Sequence, residues 1–495
     1  MFRLKQHELY IWLLGLFIFY CYFAFMMPLH SSDWFWGSCQ GMQAVTNHFE
    51  QIDGDYISNL LAFAITQSAT LRVASYSTIS ILFVLMMLKF VTYTFSTNTF
   101  ILIILFIFII PNSIFAQSYG NFELFYSYVF GTCIALYILH FVVSSFILEN
   151  EFKFWNICIF WIACVIGQWF AETLTFYNVM MLLSALIIYF IWKRKINFNL
   201  LIGFMLTLCG TFIMLFNEIY IYYFINIKNL RAQVDELGFL HKIKMTLFEQ
   251  LPQYIFFDNI LLISLIAIVL IILLVNNVAF KEWARYKRFC LIFGISALPI
   301  YKILIYVPFN LKQLAILYSY GIVNMTICLI FYISVFIATF YIVKNRYMRV
   351  VIGGIGISII LNAIPIFLIG KVVPQYFFMI YTLWCLLAVI LLTTLGRLTQ
   401  TMFNIFKLLT ILLMIIYIVV CTTLHFENEK RLDNIHTQLE THKNELVIHH
   451  LPFETYFSGM TPTNEIDKEN FKEYHHIPNN KKIKVLPFEI TETND

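Results

Sequence analysis

Apolar residues in this chain run on for about 20 positions at a time, the length a helix needs to cross the hydrocarbon of a bilayer, and polar residues collect in the gaps between runs. About 13 such runs can be laid along the sequence, near residues 10–27, 73–92, 98–115, 124–146, 154–170, 173–192, 199–216, 258–279, 288–309, 320–342, 350–370, 376–395 and 407–423. Lipid permits a helix that is apolar nearly all round, whereas water does not. The pattern therefore predicts an all-α polytopic membrane protein, with residues 1–423 as the transmembrane domain.

The pattern breaks in three places. Two are loops, at about 28–72 and 217–257, and the third is a polar tail at 424–495. In the first loop, Asp53-Gly54-Asp55 reads as a turn, and 56–70 reads as a helix whose apolar face is Ile57, Leu60, Leu61 and Ala64. The tail opens as a helix with Leu432, Ile435 and Leu439 at helical spacing, and Leu446-Val447-Ile448 reads as a strand. So short a segment rarely supplies an independent core, so the tail is expected to rest on the loops.

Composition agrees with the class. Hydrophobic residues make up 60% of the 495 residues and charged residues only 12%, and mean hydropathy is +0.78, more apolar surface than one soluble core can hide. The formal net charge of +4 is scattered over short connections, which argues against nucleic acid as a partner. Its distribution orients the chain: Arg3/Lys5, Lys193-Arg194-Lys195, Lys281/Arg285/Lys287/Arg288, Lys344/Arg346/Arg349 and Arg397/Lys407 all fall on connections of one face, the cytoplasmic one by the positive-inside rule. The N-terminus is then cytoplasmic, and both long loops and the tail are exoplasmic. Pro28 has no small-residue cleavage site before it, so the first run reads as an anchor rather than a removed signal. Nearly all of the ten cysteines lie inside apolar runs and none forms a CxxC pair, as small apolar residues would.

Charge this scarce draws attention to where carboxylates do occur. Ser31-Ser32-Asp33-Trp34-Phe35-Trp36-Gly37 follows the first run, and the same loop carries His30, His48, Glu50, Asp53, Asp55 and, at its end, Arg72. Trp34, Phe35 and Trp36 suit a bilayer surface as anchors. Lys302, in Pro299-Ile300-Tyr301-Lys302-Ile303, puts an ammonium in the outer half of an apolar run, where it either serves a function or snorkels to the surface. Glu172, at the head of the sixth run, either binds a ligand or caps its helix. Asp33, Asp53, Asp55 and Glu172 are hard oxygen ligands of the kind Mg²⁺ or Mn²⁺ prefers, and metal dependence is left open.

The order of apolar anchor, Asp33-Trp34-Phe35-Trp36-Gly37, Asp53-Gly54-Asp55-Tyr56-Ile57-Ser58-Asn59 and then Arg72 at the next run resembles the polytopic glycosyltransferases of the GT-C superfamily, in a Gram-positive branch of uncharacterised membrane proteins. Ala116-Gln117-Ser118-Tyr119-Gly120 and Ala171-Glu172-Thr173-Leu174-Thr175 are similar to further exoplasmic motifs of that branch, with His449-His450 and His475-His476 less specific matches. Members commonly carry an Asp-Asp pair where this chain has Ser32-Asp33.

The resemblance implies a polyprenyl-phosphate-linked sugar as donor, an envelope glycan or lipid-linked acceptor, and a site at the exoplasmic face of a bacterial plasma membrane. No phosphate-cradling G-x-x-x-x-G-K-[ST] loop is present or needed. Asp33 is the expected general base. Arg72 and Lys302 are candidates to meet the leaving phosphate, and Asp53, Asp55, Gln117, Tyr119 and Glu172 to bind substrate. Two rivals stand beside this reading: a lipid-linked oligosaccharide flippase or other transporter, and an envelope polysaccharide polymerase or ligase, for which Arg231, Lys242 and Lys244 of the second long loop speak.

Overall fold

A computed structural model describes residues 2–50, 52–91, 96–148, 152–225, 239–311, 318–367, 372–395, 400–440 and 445–488. Among these residues the protein is all-α apart from one two-stranded sheet. Each apolar run forms helix, but not every helix reaches the length of a full span. Ten described helices are long and apolar enough to cross a membrane, and an eleventh crossing is reached if His241–Phe257 and Ile260–Asn276, bent by 67°, count as one.

The 13 expected runs correspond to these ten helices, the bent pair, and two shorter apolar helices of 12 and 13 residues, Thr97–Phe108 and Phe154–Ile166, given by the runs at 98–115 and 154–170. Pro111 explains the first, since it removes an amide donor and pushes Ile110 out of the α region. The second stops at Gly167, after which Trp169 turns back to accept a hydrogen bond from the Ile57 amide (3.0 Å). Nearly all of Thr97–Phe108 is buried, and short backbone at membrane depth is tolerated where protein surrounds it.

Successive helices run in alternating directions, which sorts the connections to two ends. At one end Lys407 pairs with Glu8, Arg346 lies over Trp192 (6.0 Å), and Trp283 packs on Tyr341 (4.8 Å). The predicted basic clusters therefore share an end, apart from Arg397, which lies outside the described residues. At the other end Asn217 Nδ2 donates to the Phe49 carbonyl (2.9 Å) and Ser458 to the Ala116 carbonyl (2.9 Å). This loop end collects the first loop, the connections after Phe108, Ile166 and Leu215, and the tail.

The core sits on the helix Phe378–Thr394, which is buried from Phe378 to Leu392, as a helix apolar on every face should be. Trp384 is its widest side chain, ringed by Phe256, Phe331, Tyr332 and Phe336. Helices further out leave Tyr10, Ile11, Leu14 and Ile18 exposed on one side, the side a bilayer covers.

The last helix, Gln400–Glu440, has 41 residues and is about 60 Å long, twice the hydrocarbon thickness. Its second half carries the tail. Strand β1 (Glu445–His449), expected at 446–448, pairs in parallel with β2 (Lys482–Leu486), Leu446 opposite Ile483. A parallel pair needs a crossover, and the helix Glu465–Tyr474 lies within it. The small core of Ile435, Leu446, Ile448, Phe471, Ile477 and Ile483 is completed by Trp34 from the first loop. The tail thus rests on the loop, as its length required.

Candidate active site

The seven-residue helix Ser31–Gly37 begins where Pro28 ends the first span, with His30 as its N-cap and Asp33 at the third position. Asp33 Oδ2 accepts from the His30 amide (3.0 Å) and faces His30 Nδ1 (3.2 Å), the reciprocal arrangement that closes a capping box. Both side chains are fully buried. Asp33 Oδ1 and His30 Nε2 are also buried, yet neither has a partner.

The flanking tryptophans are inside the protein, each 1% exposed, rather than at its surface. Two positions apart on a short helix, they point different ways. Trp34 meets Phe471 of the tail edge-on (4.8 Å), and Trp36 donates from Nε1 to Glu123 Oε1 (3.3 Å).

Arg72 enters from the first turn of Ala69–Val91. Its guanidinium lies over the Phe122 ring (5.3 Å), and that ring also faces His30 (6.2 Å). Its Nε is buried without a partner. Tyr474 of the tail joins the same group: burial raises its phenol pKa, Arg72 lowers it and Asp33 raises it. Both charges also act on Tyr126.

Beyond Trp36 the carboxylates continue. Asp53 Oδ1 accepts from Asn59 Nδ2 (2.8 Å) and from the Asp55 amide (3.3 Å). Gly54 is pressed against the next wall, where a Cβ would stand 2.7 Å from the Met214 carbonyl oxygen. Tyr220 receives the Gly54 amide (3.4 Å) and donates to Glu172 Oε1 (2.5 Å), tying the turn to the sixth run. Burial pushes Asp53 up, against its hydrogen bonds from Asn59 and Asp55. Asp55 is held well above the carboxylate range, first by burial and then by Asp53, Glu172 and Glu123. Burial and neighbouring carboxylates both favour the neutral form, and Asp55 Oδ1 has no partner. Among the described residues no three His, Cys, Asp or Glu side chains converge as a metal site.

Asp33, Asp53, Asp55, Arg72 and Glu172 therefore share one end of the bundle, linked through Glu123. Three other candidates stand apart. Tyr119 is buried among Tyr20, Tyr76 and Phe115, and its motif serves the tail: Gly120 lies where a Cβ would be 2.7 Å from the Tyr456 carbonyl oxygen. Gln117 sits on the same turn with Oε1 buried and unpartnered. Lys302 belongs to another group, its ammonium over Tyr306 (3.9 Å) and Phe257 (4.8 Å), with Gln253 accepting from the Tyr306 hydroxyl (3.1 Å). Aromatic faces hold it, the alternative to snorkelling. His450 pairs with Glu454 (2.7 Å), and His475 packs at a tilt against Phe471 (4.3 Å). Arg231 lies outside the described residues.

Sequence reasoning missed Glu123, Tyr220 and Tyr474. Glu123 carried a usable signal, a carboxylate at the head of an apolar run. Compared with protein-family models, with curated proteins and with solved structures, the chain matches none.

Proposed function

We propose that this protein is a GT-C-like glycosyltransferase of a bacterial plasma membrane, moving a sugar from a polyprenyl-phosphate donor to an envelope glycan or lipid-linked acceptor, with the loop end exoplasmic. One observation carries the reading: Asp33 Oδ1 and Arg72 Nε, an unpaired carboxylate oxygen and an unpaired guanidinium nitrogen, are both buried in one group of side chains at the loop end. Burial of unpaired polar atoms is costly, and a ligand supplying one hydroxyl and one phosphate would relieve both.

In the proposed reaction the acceptor hydroxyl attacks the anomeric carbon and gives its proton to Asp33. The bond from that carbon to the phosphate oxygen breaks, the electron pair leaves with the lipid phosphate, and Arg72 meets the growing negative charge. His30, bonded to Oδ2, fixes the carboxylate so that Oδ1 faces the acceptor. Glu123, Asp53, Asp55 and Glu172 then line the sugar hydroxyls as acceptors or, where protonated, as donors. The basic clusters at the opposite end support this orientation through the positive-inside rule.

The test is mass spectrometry of envelope glycans from cells carrying wild type, a deletion, or Asp33→Asn at matched expression. Loss of the same sugar in both altered strains, with the glycan backbone intact, supports the proposal. A wild-type glycan in the substituted strain, with a changed glycan in the deletion, removes Asp33 from the chemistry and favours a transporter.

A further inference from the structure

The end opposite the carboxylates carries a cavity with a different chemistry. Between the helix Ile260–Asn276 and the helix Arg285–Tyr301 the chain makes one short turn of helix, Val278–Lys281. The space beside it, about 450 Å³, is lined by Val275, Phe280, Lys281, Arg285, Arg288 and Ile292. Arg285 and Arg288 lie three apart on one helix, so their side chains share a face, and Lys281 approaches from the preceding turn. Among the described residues the ion pairs lie elsewhere. Glu282, the carboxylate next in sequence, is exposed and neutralises none of the three.

Orientation of a chain requires only that such charges exist on a connection; it requires no cavity. Here the cations line a hollow together with Val275 and Ile292, aliphatic residues of the flanking helices, and the buried Phe280. Phe280 packs against Trp283 (5.4 Å), and Trp283 against Tyr341 (4.8 Å). Tryptophan and tyrosine gather where hydrocarbon gives way to headgroups, so this aromatic group marks the depth of the cavity independently of its charge. Cations above, aliphatic walls below and a position at headgroup level form an amphipathic site. We infer that this cavity binds an anionic phospholipid, its phosphate held by Lys281, Arg285 and Arg288 and the start of its acyl chains lying against Val275 and Ile292. Three cations around one phosphate match basic pockets between transmembrane helices that take lipid headgroups. The fork of an arginine also fits phosphate oxygens two at a time.

The inference does not depend on the proposed glycosyltransferase activity. It is tested on the full chain in detergent by native mass spectrometry, titrating phosphatidylglycerol, phosphatidylcholine or inorganic phosphate. Wild type should hold one phosphatidylglycerol in preference to phosphatidylcholine, and millimolar phosphate should not displace it. Lys281→Gln/Arg285→Gln/Arg288→Gln should weaken phosphatidylglycerol binding about tenfold or more. Arg285→Lys/Arg288→Lys keeps every charge that orients the chain and should weaken it several-fold, which separates recognition from failed insertion. Equal retention of the two lipids overturns the inference, as does unchanged binding by the triple variant. Displacement of the lipid by inorganic phosphate assigns the cavity to a free anion and overturns the lipid reading as well.

Discussion

His30 and Asp33 share a single oxygen: both the amide and the ring Nδ1 of His30 lie within 3.2 Å of Asp33 Oδ2, with the two side chains fully buried. Two atoms are left over, Asp33 Oδ1 and His30 Nε2. The pair thus presents an acceptor on the carboxylate and a ring nitrogen whose tautomer the carboxylate sets.

Replacing Asp33 by Asn keeps the shape and removes the proposed base. Transfer by purified protein from a polyprenyl-phosphate sugar should fall by about 10² to 10⁴, while the weakened cap costs about 0.5–2 kcal/mol of stability. A small change in melting temperature with activity retained would make Asp33 a cap and nothing more.

His30→Gln retains a side chain able to donate toward Asp33 Oδ2 but has no titrating ring. If His30 only positions the carboxylate, this variant keeps most of the rate and the same pH profile. A fall matching that of Asp33→Asn would move the base to His30 Nε2.

Acid should loosen the tail. Burial, followed by Arg431, His436 and His476, pushes His475 down to about 4 from 6.5, so the unfolded state takes up the proton more readily. Stability from the neutral ring is complete above 6.5 and is lost as pH falls toward 4, about 3 kcal/mol at most before solvent screening. Hydrogen exchange of residues 445–488 should quicken over that window, and His475→Phe should flatten the dependence.

The turn at Asp53-Gly54-Asp55 should show the opposite slope. A carboxyl whose folded pKa is raised holds its proton better when folded, so stability is greatest below the unfolded value of 3.8 and declines as pH rises through the folded one. Asp55→Asn should therefore melt higher than wild type at pH 7, with the gain shrinking toward pH 4. A gain independent of pH would mean that Asp55 is ionised in the folded protein.

Gly120→Ala tests how the tail is seated. A methyl 2.7 Å from the Tyr456 backbone oxygen cannot be met by rotating a side chain. The variant should expose the tail to limited proteolysis while the transmembrane helices stay protected.

Runs of apolar residues made the helical class legible, because lipid leaves no other signal to confuse it. They could not distinguish a full-length span from a shorter buried helix, since Thr97–Phe108 differs only in where Pro111 cuts it. Asp33 and Arg72 stood out because charge is scarce, and Glu172 because it heads an apolar run. Tyr474 could not, since it reaches the first loop from more than 400 residues away, through a tail whose strand pairing depends on β2, a run of lysines alternating with apolar residues. Trp34 and Trp36 looked like surface anchors because both uses of tryptophan, at a headgroup and under a polar lid, leave the same local sequence.

The helix Gln400–Glu440 is held at one end by lipid and at the other by the tail, where Arg431 donates to the Met460 carbonyl (3.0 Å) and to Thr461 Oγ1 (3.4 Å). A rigid rod gripped this way works as a gauge. The height at which Tyr474 packs against Gly37 of the first loop follows from how deeply the rod's apolar half is immersed, so the thickness of the bilayer is itself a dimension of the candidate site.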